Sequence, residues 1–226
     1  MIRVAPFIWQ NGGDLTATPV TTRLTIDTAA AKAAIQWFVD LQTKYHVAPD
    51  AAADQSESTE DRFINVRLGM FLDSRRVTPT FRESAKFDWD VAPLPNHDLG
   101  PATILHSDAY CMTKATQNKV AVWKFIEYAN STEGQTIIAG TGRTVPSLKT
   151  VAESNAFLDP KAKPASSKVW IDVIPSIRST PIMKNWMDIE DVFGAELERA
   201  FYQGAIVDDV VKAIIDRTQI FMGEKE

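Results

Sequence analysis

The chain has 226 residues, and 45% of them are hydrophobic, which is ample for a packed core and excludes the disordered class. Its net charge is -5 at pH 7, and the basic residues are scattered apart from Arg75 and Arg76, which excludes an extended nucleic-acid-binding surface. The sequence also has no apolar run long enough to span a bilayer.

The first elements alternate between strand and helix patterns. Residues 4–9 form a short apolar run that predicts a strand, and a polar turn with two adjacent glycines follows it. Asp27 and Thr28 are both candidate N-caps for a helix that runs to about residue 45, where apolar residues recur at helical spacing. A second helix is predicted to begin at Ser58 or Thr59.

The next stretch contains a candidate ligand rim. An apolar run over residues 69–72 ends in a cluster of polar side chains, and a second run over residues 89–93 is closed by prolines. The pattern predicts two strands that flank a polar turn. In open α/β sheets, ligands bind in crevices at the ends of buried strands, where hydrogen-bonding side chains follow the strand. The polar cluster consists of Asp73, Ser74, Arg75 and Arg76.

The second half is mostly helical. A strand is predicted over residues 104–113, followed by helices over residues 118–130 and from Ser131 to Gly140. Residues 161–167 resemble an exposed connector, and two apolar stripes after Asp188 predict a pair of long helices. Four short strands beside about eight helices are too few for two complete sheets, which indicates a fragment of a larger fold.

No residue pattern indicates catalysis or a bound cofactor. The three histidines are far apart, so no metal site is expected, and a lone cysteine, Cys111, is predicted to be a small buried hydrophobe. His106 and Asp108 cannot both orient around Ser107, because successive side chains of an extended segment point to opposite faces. The glycines on either side of Thr141 lack the spacing of a phosphate-binding loop.

The six tryptophans divide into two groups. Core packing is predicted for Trp37, Trp89 and Trp123, which lie within apolar helix or strand patterns. Trp9 and Trp186 lie beside polar residues instead, and an indole ring in such a place can stack on the C–H face of a sugar. Packing alone is the alternative for both of them.

Several segments, in this order, are similar to one protein family. They are residues 8–14 (IWQNGGD), 68–95, 104–113 (ILHSDAYCMT), 142–146 (GRTVP) and 181–186. Together they resemble the family 1 extracellular solute-binding proteins, the capture subunits of ATP-driven sugar importers. The resemblance covers nearly the whole chain.

The resemblance implies an α/β, periplasmic-binding-protein-like (type II) fold, of which this chain is the C-terminal lobe with an incomplete N-terminal lobe. Residues 1–95 are expected to form the first part of the C-terminal lobe, residues 96–145 a partial N-terminal-lobe insertion, and residues 146–226 the second, mostly helical part of the C-terminal lobe. Sugar sites of this family lie between the two lobes. The implied ligand-binding residues are Trp9, Asn11, Asp73, Ser74, Arg76, Ser107, Asp108, Arg143 and Trp186.

One departure from the family bears on the ligand. Members often carry a glycine and a tryptophan in the polar turn, where this chain has Ser74 and Arg76. A guanidinium can fork onto a carboxylate or a vicinal diol, so an acidic or phosphorylated sugar becomes plausible as the ligand.

The implied function is carbohydrate binding for an ABC transporter, without catalysis and without a cofactor. Its partners would be the sugar, the permease subunits, and either a chain that supplies the missing N-terminal lobe or a second copy. The location would be periplasmic or extracellular, although the first residues do not resemble a secretory signal, so the signal is expected on a preceding segment or another polypeptide.

Two other functions stay open. One is a small α/β enzyme that acts on an acidic or phosphorylated sugar through Asp73, Arg76 and Asp108. The other is an interaction module whose incomplete sheet pairs with another chain.

Overall fold

A computed structural model describes residues 1, 3–17, 22–97 and 99–222 of the chain. The α-helices are α1 (Ala5–Gln10), α2 (Ala29–Thr43), α3 (Ala51–Ser56), α4 (Thr59–Ile64), α5 (Thr78–Ser84), α6 (Lys119–Ala129), α7 (Thr132–Gly140), α8 (Lys149–Ala152), α9 (Val169–Asp172), α10 (Trp186–Tyr202) and α11 (Val207–Thr218). Short 3₁₀ helices span Arg75–Val77, Ile174–Ser176 and Gln219–Phe221. The strands β1 (Thr103–Ile104) and β2 (Ile177–Arg178) pair in parallel.

The chain divides into two compact units. Unit 1 contains Met1–Ser56, Leu94–Leu105 and Ser176–Glu226, and unit 2 contains Glu57–Pro93 and His106–Pro175. The chain therefore passes between the units after residues 56, 93, 105 and 175. The predicted lobe boundaries lie at other positions, after residues 95 and 145, and the assignment of these segments to lobes stays a prediction.

Unit 1 is built from four helices whose apolar stripes meet. Helices α1, α2, α10 and α11 pack on one another, and Ile35, Phe193 and Ile214 lie fully buried between them. Of the two candidate caps of α2, Thr28 is the one that caps it, because its hydroxyl accepts a hydrogen bond from the N–H of Ala31. Helices α10 and α11 also match the two predicted stripes.

The Asn-Gly-Gly turn after α1 has a structural role. The Asn11 side-chain amide donates a 2.7 Å hydrogen bond to the carbonyl of Ala30 on α2. Gly12 has a φ of +82°, which a residue with a side chain rarely adopts. A Cβ on Gly13 would lie 2.9 Å from the backbone nitrogen of Ala31, so only glycine permits this approach of α1 to α2.

A buried carboxylate joins α10 to α11. Glu196 on α10 is almost fully buried, and its two oxygens accept hydrogen bonds from Arg199 on the same helix and from Arg217 on α11. Burial by itself would raise the pKa of Glu196, but the bonds from Arg217 and Arg199 outweigh it and lower that pKa below its ordinary value. Glu196 is therefore charged in the folded protein, and its pairing fixes the two helices.

This pairing predicts a pH-dependent effect of Glu196→Gln. A carboxyl group whose pKa is depressed by folding stabilises the protein above its ordinary pKa of 4.5, and that contribution is lost as the pH falls through the folded pKa. We expect the variant to lose about 1–2 kcal/mol at pH 7, since both arginines are half-exposed, and to approach the native protein below pH 4.5.

Urea unfolding at a series of pH values measures this difference. Glu198→Gln is the matched control, because Glu198 lies exposed on the same helix and no ion pair with it is found among the described residues. It should change the free energy of unfolding by less than about 0.5 kcal/mol at every pH. A loss for Glu196→Gln that stays constant down to acidic pH would contradict the argument.

Unit 2 consists of short helices around two small apolar clusters. In the first cluster the Phe63 ring lies 4.9 Å from the Phe81 ring and 5.3 Å from the Phe87 ring, and Trp89 contacts Phe81. The second cluster contains Val151 and other residues of α7, α8 and α9. The predicted starts of α4 and α7 are confirmed, and the Ser58 and Ser131 hydroxyls cap these helices by each accepting a backbone N–H three residues on.

Side-chain hydrogen bonds, not a strand ladder, anchor residues 89–93. The Asp90 carboxylate accepts the N–H of Ser166 at 2.9 Å and its hydroxyl at 2.7 Å. The predicted connector over residues 161–167 is therefore fixed, and Lys163 adds to this by donating to the carbonyl of Phe87 at 3.0 Å.

The predicted strands are the main error of the sequence analysis. Residues 5–9 lie in α1, which Val4 precedes as the N-cap residue and Pro6 helps to begin, and residues 69–72 and 89–93 have no regular secondary structure. Within the predicted strand over residues 104–113, only Ile104 belongs to β1. Short apolar runs have the same pattern in strands and buried helices, so long-range contacts decide between them.

Three predictions of core packing are also wrong. Cys111 is exposed, and Trp37 and Trp123 are exposed by 44% and 57%, whereas Trp89 is buried as predicted. Cys111 lies in a segment whose neighbouring residues are also exposed.

The described residues contain no helix that could cross a membrane.

Candidate functional site

In unit 1, three side chains meet at the end of α1. The Trp9 indole N–H donates to Oδ1 of Asp14 at 3.0 Å, and Nη2 of Arg178 lies 2.6 Å from Oδ2 of the same carboxylate. The Arg178 guanidinium also lies over the Trp9 ring, 4.8 Å from its centroid. Trp9 itself is only 5% exposed, whereas the Asp14 and Arg178 side chains are each nearly half exposed.

This cluster can bind hydroxyl groups through its charged members. The Asp14 carboxylate accepts hydrogen bonds, and the Arg178 guanidinium donates them. The Trp9 face is covered by Arg178, so a sugar could stack there only if that guanidinium moved. Asp14 and Arg178 are not among the residues predicted from the sequence, because they lie 164 residues apart in the chain and meet only in the fold.

The other two predicted ligand residues of unit 1 serve the fold. Trp186 is the first residue of α10, is 8% exposed in the apolar core, and donates from its indole nitrogen to Glu190 at 3.0 Å. Asn11 makes the bond to Ala30 that joins α1 to α2. Both residues therefore have a packing role, which was the alternative for Trp186.

In unit 2, the structure brings three of the predicted residues together. Asp73 accepts the N–H of Ser74 at 2.6 Å and is paired with Arg76, whose Nη2 lies 3.2 Å from Oδ2 of Asp73 and 3.0 Å from Oε1 of Glu60. The hydrogen bond and the charge of Asp73 raise the pKa of the Arg76 guanidinium. The carboxylates of Asp73 and Glu60 therefore already balance the positive charge of Arg76.

Arg75, next to it, is enclosed by the protein. It is 4% exposed, and its guanidinium carbon lies 4.2 Å from the centroid of the Phe157 ring and 4.5 Å from that of Trp170. Nη1 lies 3.4 Å from the Ser167 hydroxyl, while Nε and Nη2 have no hydrogen-bond partner among the described residues. Burial, with a smaller contribution from the charge of Arg82, lowers the pKa of Arg75 to about 10.

The remaining predicted residues are exposed. Ser107 and Asp108 lie in a segment without regular secondary structure, and Arg143 follows Gly142 in the turn after α7. No hydrogen bond from these three side chains is found within the described part of the chain. They are therefore available for a ligand.

Neither a cavity nor a metal site adds further candidates. A shallow depression of about 600 Å³ at the start of α6 is lined by residues 116–121 and Lys124, and it contains none of the predicted ligand residues. Over the described residues, no three His, Cys, Asp or Glu side chains are grouped to hold a metal ion.

The fold of the chain matches solved structures of substrate-binding proteins. The chain superposes with a TM-score of 0.85 on the ABC substrate-binding protein Lmo0181 from Listeria monocytogenes in complex with cycloalternan, at 22% identity. The TM-score is 0.80 for an ABC transporter solute-binding protein from Thermotoga lettingae with bound α-D-tagatose (19% identity) and 0.78 for maltose-bound MalE3 of T. maritima (21% identity). These likenesses confirm the predicted periplasmic-binding-protein-like α/β fold.

The match is to part of that fold. It covers 98% of this chain in all three cases, but 56%, 56% and 57% of the Listeria, T. lettingae and T. maritima chains. The chain thus spans little more than half the length of its solved relatives. No curated protein sequence matches it.

The sequence itself carries the family signature, which confirms the resemblance drawn from its motifs. The model of a family described as bacterial extracellular solute-binding protein matches residues 4–165, well over half of the chain. The matched region includes the Asn-Gly-Gly turn and the polar turn around Asp73. The chain belongs to the family of bacterial extracellular solute-binding proteins.

Proposed function

We propose that the chain is part of the carbohydrate-binding component of an ABC importer and that it binds its sugar without transforming it. The observation that carries this proposal is the family match over residues 4–165. The fold supports it, because relatives with the same fold are described with bound cycloalternan, α-D-tagatose and maltose. The permease subunits of the importer are the proposed protein partners, on the extracellular or periplasmic side.

The pairing of Arg76 favours a neutral sugar over an acidic or phosphorylated one. An anionic ligand would have to compete with Asp73 and Glu60 for the guanidinium, and the two carboxylates would repel it. The same pairing weakens the enzyme alternative, because the Asp73 carboxylate is already bonded to Arg76. We place ligand contacts on Ser74, Ser107, Asp108 and Arg143 in unit 2. Asp14 and Arg178 of unit 1 are a separate candidate.

Calorimetric titration of the 226-residue chain with maltose, α-D-tagatose, glucuronate and glucose 6-phosphate tests this proposal. We expect the neutral sugars to bind and the anionic ones not to bind. The affinity should be weaker than micromolar, because part of a site lacks hydrogen bonds worth about 0.5–1.5 kcal/mol each, and about 1.4 kcal/mol is tenfold in affinity. Turnover of a glycoside or a sugar phosphate would overturn the proposal in favour of the enzyme alternative.

Asp108→Ala provides a test that does not disturb the fold. The Asp108 side chain is exposed and bonds to no described residue, so the variant should melt at the native temperature in the absence of sugar. A hydrogen bond from a sugar hydroxyl to a carboxylate contributes about 1.5–3 kcal/mol, so we expect sugar affinity to fall about tenfold to a hundredfold.

The matched control is Asp172→Ala, which removes another exposed carboxylate of unit 2, one paired only with Lys168 among the described residues. It should leave sugar affinity unchanged. Equal affinities of the Asp108→Ala variant and the native chain would exclude Asp108 from the site.

A further inference from the structure

Unit 2 encloses a guanidinium group whose edge has no acceptor. Arg75 is only 4% exposed, and its guanidinium carbon lies 4.2 Å from the centroid of the Phe157 ring and 4.5 Å from that of Trp170. Contact with ring faces stabilises a cation but supplies no lone pair to the N–H groups at the edge of the guanidinium plane. Nε and Nη2 are shielded from solvent and have no hydrogen-bond partner among the described residues. Nearly all buried polar groups are hydrogen-bonded, so this edge is expected to have an acceptor.

The charge of Arg75 is also not balanced by a carboxylate. Its Nη1 lies 3.4 Å from the Ser167 hydroxyl, which is neutral and donates its own proton to the carbonyl of Pro164 at 2.9 Å. No acidic side chain pairs with Arg75 among the described residues, whereas the adjacent Arg76 is paired with two carboxylates. With its pKa lowered to about 10, Arg75 still carries its charge at neutral pH. A buried charge without a counter-charge is costly, and a bound anion would remove that cost.

A second guanidinium increases the positive potential around Arg75. Nε of Arg82 on α5 donates to the carbonyl of Lys163 at 2.6 Å. A Cβ on Gly142 would lie 2.4 Å from Nη1 of Arg82, so the glycine leaves room for this guanidinium. No carboxylate pairs with Arg82 in the part of the chain that the structure describes, and its charge contributes to the lowered pKa of Arg75. A water molecule can accept the free N–H groups, but only an anion balances two neighbouring positive charges.

The connector that the sequence predicts to be exposed closes over this site. Its Ser166 donates from the backbone and from the hydroxyl to the Asp90 carboxylate, at 2.9 Å and 2.7 Å. Lys163 donates to the carbonyl of Phe87 at 3.0 Å, and the same connector carries the hydroxyl that contacts Arg75. A sugar or an organic phosphate cannot reach the shielded edge of the guanidinium, so its occupant must be small.

We propose that Nε and Nη2 of Arg75 bind a small monoatomic anion such as chloride, enclosed in unit 2, and that Arg82 strengthens its binding. The anion accepts two N–H groups that have no acceptor among the described residues, and it balances a buried positive charge. It stabilises the folded state, because unfolding exposes Arg75 to water and releases the anion. The site is separate from the proposed sugar contacts and requires none of them.

Thermal unfolding in sodium chloride tests this site, with sodium methanesulfonate replacing chloride so that the ionic strength stays constant. A ligand that binds only the folded state adds about 1.4 kcal/mol for each tenfold rise in its concentration above the dissociation constant. We therefore expect the melting temperature of the native chain to rise by about 3–6 °C for each tenfold rise in chloride. A melting temperature that does not change with chloride would overturn the proposal.

Three variants locate the effect. Arg75→Met fills the space between the two rings without donating N–H groups, so it should melt near the native temperature in methanesulfonate and show no response to chloride. Arg82→Met should raise the chloride concentration needed for half of the response without abolishing it. Arg76→Met removes a neighbouring arginine that is already paired with carboxylates, and it should respond as the native protein does. Equal chloride responses of the native protein and the Arg75→Met variant would show a general salt effect and contradict the site.

Bromide identifies the occupant directly and does not depend on a variant. Crystals of the native chain are soaked in sodium bromide, because anomalous scattering distinguishes bromide from water. We expect a bromide peak in the guanidinium plane of Arg75, in contact with Nε and Nη2. Electron density at this edge without an anomalous signal would show bound water, and bromide peaks only at exposed arginines and lysines would show an adventitious ion only. Either result would overturn the proposal.

Discussion

Replacing Trp9 with alanine is expected to lower the free energy of unfolding by about 3–5 kcal/mol, as large-to-small substitutions in cores do. The indole ring is almost fully buried in unit 1 and is covered by the Arg178 guanidinium, so its removal leaves a cavity between α1 and its neighbours. Urea unfolding of the two proteins measures the difference. If Trp9→Ala instead kept native stability and lost sugar binding, the indole would be a stacking platform for the ligand.

Trp9→Phe separates the packing of the ring from its hydrogen bond. Phenylalanine keeps an aromatic face beneath Arg178 but removes the indole N–H that donates to Asp14. We expect a loss of about 0.5–1.5 kcal/mol, the usual contribution of one hydrogen bond, and so well below that of the alanine variant. Equal losses in the two variants would show that the hydrogen bond, and not the ring, stabilises unit 1.

Arg75→Ala is expected to be about 2–4 kcal/mol less stable than Arg75→Met, because only methionine fills the space between the rings of Phe157 and Trp170. The methionine variant should lie within about 1.5 kcal/mol of the native protein, or exceed it in stability. Burial of the unpaired guanidinium is unfavourable, as its lowered pKa shows, and methionine removes that penalty while it keeps the contacts.

Arg75→Lys completes the series. Lysine keeps the charge but cannot stack flat between two rings, so we expect a stability below that of the methionine variant. Thermal unfolding of the four proteins at neutral pH decides the order. A methionine variant as unstable as the alanine variant would show that the charge of Arg75, and not its packing, holds this part of unit 2 together.

In the polar turn, residues that the sequence predicts to contact a ligand are buried or paired in the structure. The sequence placed Asp73, Ser74, Arg75 and Arg76 at the end of a strand, and the motif was correctly assigned to the family. The sequence could not show that Arg75 lies inside the protein and that its neighbour Arg76 is paired with Glu60 on α4. Adjacent residues of a short 3₁₀ helix point in different directions, and the packing around them determines which one is enclosed.

The sequence by itself determined the long helices, the starts of α2, α4 and α7 near Thr28, Ser58 and Ser131, and the family. Helix starts depend on side chains within one helical turn, and the family was assigned from the order of motifs along the chain, so neither requires knowledge of the tertiary structure. Only the tertiary structure decided that Trp9 and Trp186 are buried, that Asp14 and Arg178 meet, and that α6 stays exposed. Burial and pairing depend on which distant segments come together in the fold. The apolar pattern of α6 predicts a helix, but it does not show whether other parts of the protein pack against that helix.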